Sequence, residues 1–272
     1  MMYAHVTDSG WISRSHRAIS PFRLIRSSTP REAVEALAHE PQSTFIAGGI
    51  DLIRRMRGGD RWDTVIDISS IDGMRMIAEE GDHIKIGALA THRDIETSKL
   101  LAEKLPDFQV AWTTIGNVRV RAAGTLGGNI LAGEAAYDGL VILGVLNAEF
   151  VFSTYEGEVV VAAHKGQQAF PARGLLIAVR IPFGARRRML FDRSLKPVVS
   201  VAVSVEEGRH AIGVGCAFSQ PVFRVGAGAV DDGAISGLLP APLDNPLGGA
   251  EYRRRMVGVL ASRLYQKLSN GN

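Results

Sequence analysis

The chain has 272 residues, room for one large or two medium domains; 46% apolar residues allow an ample core, and 22% charged residues exclude wholesale disorder. One cysteine, Cys216, excludes an intramolecular disulfide and any all-cysteine zinc or iron–sulfur centre within this chain, and fits a reducing, cytoplasmic setting. The net charge of +3 and pI of about 9.2 are mildly basic, and the arginine runs at 186–188 and 253–255 lack interleaved aromatics, so they read as solvated or subunit-facing surface and exclude a nucleic-acid platform.

Residues 1–20 carry four basic or imidazole side chains (His5, Arg14, His16, Arg17) against one acid, Asp8, and no apolar stretch. They read as an extension ahead of the fold, not as a secretory signal. No apolar run anywhere is long enough to span a bilayer. The folded part divides into an expected 21–183 unit, with parts 21–60 and 61–183, and an expected 189–272 unit. A strand over 22–25 leads to a helix announced by Thr29-Pro30-Arg31-Glu32, with Thr29 as cap, Pro30 at the first helical position and Glu32 closing a capping box. Pro41 stops it. A strand over 43–46 runs into Ala47-Gly48-Gly49, and a second helix turns Leu52, Ile53 and Met56 inward before Gly58-Gly59.

The pattern then predicts a strand over 64–68 and a hairpin of 74–78 with 83–87. A helix over 91–105 opens on Thr91 and Asp94, and 108–115 extends the helical region. The glycine-rich stretch 116–133 is too broken for regular structure. A short helix follows over 138–146, a hairpin of 148–154 with 158–163, and a strand over 175–181. Val198–Val205 and Ala211–Phe218 alternate about a Glu-Glu-Gly-Arg turn and form another hairpin, in which Gly213-Val214-Gly215 is strand and not a nucleotide motif. Residues 226–249 read as loop. The last helix, 250–268, puts Tyr252, Met256, Leu260 and Leu264 on one apolar face.

Two segments carry the chemistry. One is Ile46-Ala47-Gly48-Gly49-Ile50-Asp51-Leu52. The other is Ile115-Gly116-Asn117, continuing through Gly124-Thr125-Leu126-Gly127-Gly128-Asn129. Glycine lets backbone approach a ligand closely, successive free N–H groups make an anion nest, and a helix beginning just after Gly49 adds a positive dipole end. Thr125 and Asn129 add polar side chains beside the second loop. Such parts suit a diphosphate, although paired glycines also make plain turns. Neither a G-x-G-x-x-G fingerprint nor a Walker loop is present. The seven histidines have no metal-ligand spacing, no G-x-S-x-G elbow is present, and His92-Arg93-Asp94 reads as a helix start. Cys216 on an apolar strand reads as a buried small hydrophobe, and Trp112 and Tyr137 as cofactor-stacking or core residues.

"AGGIDL" at 47–52 and "IGNVRVRAAGTLGGN" at 115–129 resemble the signature of the FAD-binding subunits of the xanthine dehydrogenase and carbon monoxide dehydrogenase family, the molybdenum hydroxylases. "VIDIS" (65–69), "IKIGALATH" (84–92), "AVRIPF" (178–183) and "EYRRRM" (251–256) follow the family's order, so the resemblance covers nearly everything from Pro21 onward. It implies an α+β fold: a two-part FAD-binding domain of the vanillyl-alcohol-oxidase (PCMH-like) type, and a C-terminal domain with a three-stranded antiparallel sheet and helices. It implies that Ile46, Ala47, Gly48, Gly49, Ile50, Asp51 and Leu52 wrap the FAD pyrophosphate, and that Ile115 and Gly116 lie along the cofactor. Thr125, Gly128 and Asn129 would bind its phosphate and ribityl region. Asp138 would contact it beyond the second loop, and Leu176 would pack near the flavin and adenine.

The implied partners are a molybdopterin-binding large subunit and a [2Fe–2S] small subunit in a heterotrimer, with NAD, a quinone or oxygen as external electron acceptor. Against the family pattern, 132–137 reads Ala-Gly-Glu-Ala-Ala-Tyr, the 162–173 segment is short, and Asp192-Arg193 stands where relatives carry a lysine. The shortened segment motivates an alternative: a free-standing FAD-dependent oxidoreductase, or flavin-binding protein, acting directly on a small molecule.

Overall fold

The computed structural model describes residues 18–184, 187–194, 197–227 and 239–270. Most of the expected N-terminal extension, Arg186, and 228–238 of the expected loop lie outside the described residues. Among the described residues no helix is long and apolar enough to cross a membrane.

The first layer is a three-stranded parallel sheet in the order β1-β3-β2, from β1 (Arg23–Arg26), β2 (Ser43–Ile46) and β3 (Thr64–Asp67). The central strand, β3, is buried through Thr64-Val65-Ile66, as expected for a strand paired on both sides. Helix α1 (Pro30–His39) links β1 to β2 and buries Ala33, Val34 and Leu37. Thr29 caps it by accepting from the Glu32 amide at 3.2 Å. The expected capping box is displaced by one residue, because the Glu32 carboxylate accepts from the amide and hydroxyl of Ser28 at 2.8 Å each. Helix α2 (Ile50–Gly58) links β2 to β3.

The second layer is a five-stranded antiparallel sheet in the order β4-β5-β8-β6-β7, from β4 (Ile77–Glu80), β5 (His83–Gly87), β6 (Glu149–Thr154), β7 (Gly157–Ala162) and β8 (Gly174–Pro182). Helix α1 packs against β6 and β8, so the two sheets share one core. Between β5 and β6 runs a chain of short helices: α3 (His92–Thr97), α4 (Lys99–Lys104), α5 (Pro106–Trp112), α6 (Val118–Ala123), α7 (Leu126–Leu131) and α8 (Gly139–Gly144). The single helix expected over 91–105 breaks at Ser98, whose extended backbone (φ −69, ψ 117) ends α3 while its hydroxyl caps α4. The stretch 116–133 is likewise helical rather than irregular. Asn117 caps α6 and Thr125 caps α7, so the glycines sit between and within short capped turns.

The third layer is a four-stranded antiparallel sheet, β12-β11-β10-β9, from β9 (Arg188–Arg193), β10 (Ser200–Glu206), β11 (Arg209–Gly215) and β12 (Val222–Ala227). This corrects the expected three strands. β12 is a short edge strand that pairs with β11 where the sequence turns glycine-rich, and β9 carries charged residues at both ends, so neither alternates cleanly. Helix α9 (Ala250–Ser269) lies on β10 and β9. Its buried face is Arg253, Val257, Leu260, Ala261 and Leu264, rotated from the expected one; Tyr252 is about half exposed. Arg253 is therefore not surface. It is 1% exposed, and its guanidinium donates to the carbonyls of Gly248, Val198 and Cys216 and to Asn245 Oδ1. Those four acceptors are what make burial of the cation tolerable.

Candidate functional site

The two glycine segments meet. An added Cβ on Gly48 would lie 1.7 Å from the carbonyl oxygen of Ala123, so the first loop presses backbone-to-backbone on the end of α6. Gly49 follows in the left-handed region (φ 72) and starts α2 without a side-chain cap. The first N–H groups of α2 therefore lack both an intrahelical acceptor and a capping side chain.

Beside this junction lies a cavity of about 730 Å³. Ala47, Gly48, Gly49, Ile50, Asp51, Leu52, Ile115, Gly116, Thr125, Gly128, Asn129, Asp138 and Leu176 all line it. Ile46, the last residue of β2, is half-buried behind the loop and is not in the wall. One side of the wall is apolar, with Ile115, Val120, Leu175 and Leu176. Polar groups sit at α2, around Thr125 to Asn129, and at Arg193 from the third layer. A volume of this size, mostly apolar with a few converging donors, suits a large organic ligand with an anionic middle.

The polar side chains at the second loop already have structural duties. Thr125 Oγ1 accepts from the Gly128 amide at 3.1 Å, and Asn129 Oδ1 accepts from the Gly139 amide at 3.0 Å, which ties α7 to α8. What remains to each is donor capacity: the Thr125 hydroxyl proton and the Asn129 amide hydrogens. Asp138 is 2% exposed, pairs with Arg193 at 2.9 Å and accepts from the Cys216 thiol at 3.8 Å. Burial pushes its carboxyl above the usual range, against the pull of Ser200 and Arg193. Arg193 also donates to the Thr114 carbonyl at 3.1 Å, so it is held at the wall from two sides. Burial, followed by the adjacent Asp138 carboxylate, raises the Cys216 thiol to about 12, which makes it an inert buried group despite a positive φ of 60.

Several participants escape a motif reading. His92 is 2% exposed, lines the cavity, and its ring lies tilted 5.5 Å from that of Trp112. Burial, then the Arg121 cation, lowers it to about 4, so its ring is neutral at pH 7. Arg121 is 6% exposed and donates to the carbonyls of Trp112 (2.9 Å), Ile115 (2.7 Å) and His92 (3.3 Å), pinning the Ile115-Gly116-Asn117 turn. Trp112 is core, packed on Phe108 and His92, and is not in the wall. Tyr137 is half-buried in the wall and donates to Asp51 at 3.2 Å. The sequence carries a partial signal for each: Arg121 lies inside the second motif, His92 ends the 84–92 segment, Tyr137 reads as cofactor-stacking or core, and Arg193 stands at the departure from the family's lysine. No residue of 162–173 lines the cavity; Gln167 from that segment donates to the Ile130 carbonyl at 2.6 Å.

Comparison with known proteins gives a consistent result. Residues 20–184 match the family model described as the FAD binding domain in molybdopterin dehydrogenase. The carbon monoxide dehydrogenase medium chain of Afipia carboxidovorans is 28% identical over 254 residues, covering 82% of this chain and 87% of the relative. The nicotine 6-hydroxylase medium subunit of Paenarthrobacter nicotinovorans is 30% identical over 158 residues, 56% of this chain and 52% of that one. Among solved structures, a chain of the carbon monoxide dehydrogenase from Hydrogenophaga pseudoflava superposes with a TM-score of 0.85 at 21% identity, covering 93% of this chain and 99% of that chain. At that identity the likeness speaks for the fold.

Proposed function

The chain belongs to the family of FAD-binding domains of molybdopterin dehydrogenases, and from that premise we propose that it works as the medium subunit of a molybdenum hydroxylase, passing electrons from the [2Fe–2S] clusters of a small subunit to an external acceptor. Its relatives are oxidoreductase subunits named as medium chains and FAD-binding subunits, and FAD is the cofactor of the family. The observation that carries the reading is the meeting of the two glycine loops at one large, mostly apolar cavity.

The residues present fit FAD. A dinucleotide needs a diphosphate cradle with many donors and little cationic charge, and the uncapped start of α2 beside Gly48 and Gly49 offers that. Bound FAD supplies the redox chemistry, exchanging electrons with its partners. The chain's own residues bind and orient it. The N–H groups of Ile50, Asp51 and Leu52 hold the diphosphate, with Ala47 and Ile46 shaping the loop behind them. The Thr125 hydroxyl and the Asn129 amide donate to phosphate and ribityl oxygens, with Gly128 leaving room. Ile115, Gly116 and Leu176 cover the ring systems and keep water out, and Asp138 holds Arg193 at the wall. No acid, base or nucleophile here acts on the organic substrate, which is oxidised at a molybdopterin-binding large subunit. NAD, a quinone or oxygen takes the electrons, in a cytoplasmic heterotrimer. The proposed division is 21–183 as the two-part, PCMH-like FAD-binding domain and 189–272 as the C-terminal domain.

The test is to isolate the tagged chain from its native host and measure FAD, iron and molybdenum across a sizing column. The reading predicts all three in one peak together with the chain. FAD eluting with the chain alone, free of iron and molybdenum and reduced directly by small-molecule substrates, would contradict it.

A further inference from the structure

Asp51 poses an electrostatic problem. It lies in the first turn of α2, beside the N–H groups that cradle a diphosphate in the reading above, and it lines the same cavity. A carboxylate there complements the helix dipole but repels a phosphate. The structure meets it with Arg54 one turn later. Arg54 Nη2 donates to Asp51 Oδ1 at 2.6 Å and to Glu134 Oε1 at 2.7 Å. Tyr137 Oη donates to the same Asp51 oxygen at 3.2 Å. Asp51 and Arg54 belong to α2, whereas Glu134 and Tyr137 belong to the 132–138 stretch after the second glycine loop, 80 and 86 residues from their partners.

We propose that Arg54 is a positioning residue for FAD: it neutralises Asp51 at the diphosphate cradle and, through Glu134 and alongside the Tyr137–Asp51 bond, clasps the two rims of the cavity together. The inference rests on the reading that this cavity holds FAD. Both actions slow release of the cofactor without any contact between Arg54 and the reacting ring. The side chains are part-exposed (Arg54 42%, Asp51 17%, Glu134 22%), so their removal leaves the core intact. Other charged groups near the network are Arg55, which lines the cavity and pairs with Asp60, and Arg193, which is held by Asp138.

The test is FAD binding to the deflavinated full-length chain, read by flavin fluorescence, with release followed after dilution. Arg54→Met should weaken affinity roughly three- to tenfold and speed release, while Arg54→Lys keeps most of the affinity because a cation remains. Tyr137→Phe should speed release with a smaller loss. Asp51→Asn in the Arg54→Met background should recover affinity, since the repulsion is gone. The Arg54→Met loss should grow at low ionic strength. Wild-type uptake of FAD with the same affinity and release rate in Arg54→Met overturns the inference alone. Failure of the double variant to recover affinity overturns the neutralising role. A wild-type chain that takes up no FAD overturns the reading beneath it and the inference with it.

Discussion

At the scale of single residues, His92 gives the sharpest physical handle. Its pKa is lowered to about 4 by burial and then by Arg121, against about 6.5 in an unfolded chain. A folded value below the unfolded one means the unfolded state takes up the extra proton. The contribution to stability is whole above about pH 6.5 and is lost as pH falls toward 4. Its size is about 2–4 kcal/mol. Asp138, raised by burial, pulls the other way in the acid range, so the comparison must be made against a variant. Thermal unfolding of wild type and His92→Gln between pH 7 and pH 4.5 should show a steeper loss in the wild type. Parallel slopes would mean that the buried imidazole is not held neutral.

Among the elements, the turn from α5 into α6 depends on one buried cation. Arg121 satisfies the carbonyls of Trp112, Ile115 and His92 and meets Glu96 at 3.1 Å. Arg121→Met leaves those carbonyls without their partner and should cost about 2–4 kcal/mol. Arg119→Met, two residues away on the exposed side, should cost almost nothing. Urea unfolding of the two variants checks this, and equal midpoints would contradict it. The same region marks the limit of what a sequence tells. The glycine loops, the strand–helix–strand start and the hairpins were legible because their signals are local: glycine, proline, caps and alternation. The helices at 118–123 and 126–131 were not, because each is shorter than two turns and is held by caps and by Arg121 rather than by an apolar period. Edge strand β12 was missed for a like reason, since its pairing with β11 is a tertiary fact. In the last helix the apolar period was legible but its rotation was not, because a buried Arg253 satisfied by three carbonyls reads in sequence as a surface charge. At the cavity, motif residues were legible and their supports were not: Arg193, His92 and the Arg54 network reach the wall from distant segments.

For the whole molecule, the cavity wall draws on all three layers. The parallel sheet delivers the first glycine loop, the helical run delivers the second, the five-stranded sheet supplies Leu175 and Leu176, and the four-stranded sheet supplies Arg193. The wall is thus a product of the fold as a unit. The most direct test is FAD bound per chain after reconstitution, measured on wild type and Gly128→Glu together. Gly128 is exposed and an added Cβ there meets only Thr125 Oγ1, at 3.0 Å, so a substitution asks only a small shift of that hydroxyl while glutamate brings negative charge to the cavity wall. The account predicts one FAD per wild-type chain and near none in a folded Gly128→Glu chain. Equal flavin content in the two would contradict the placement of the cofactor at the glycine loops.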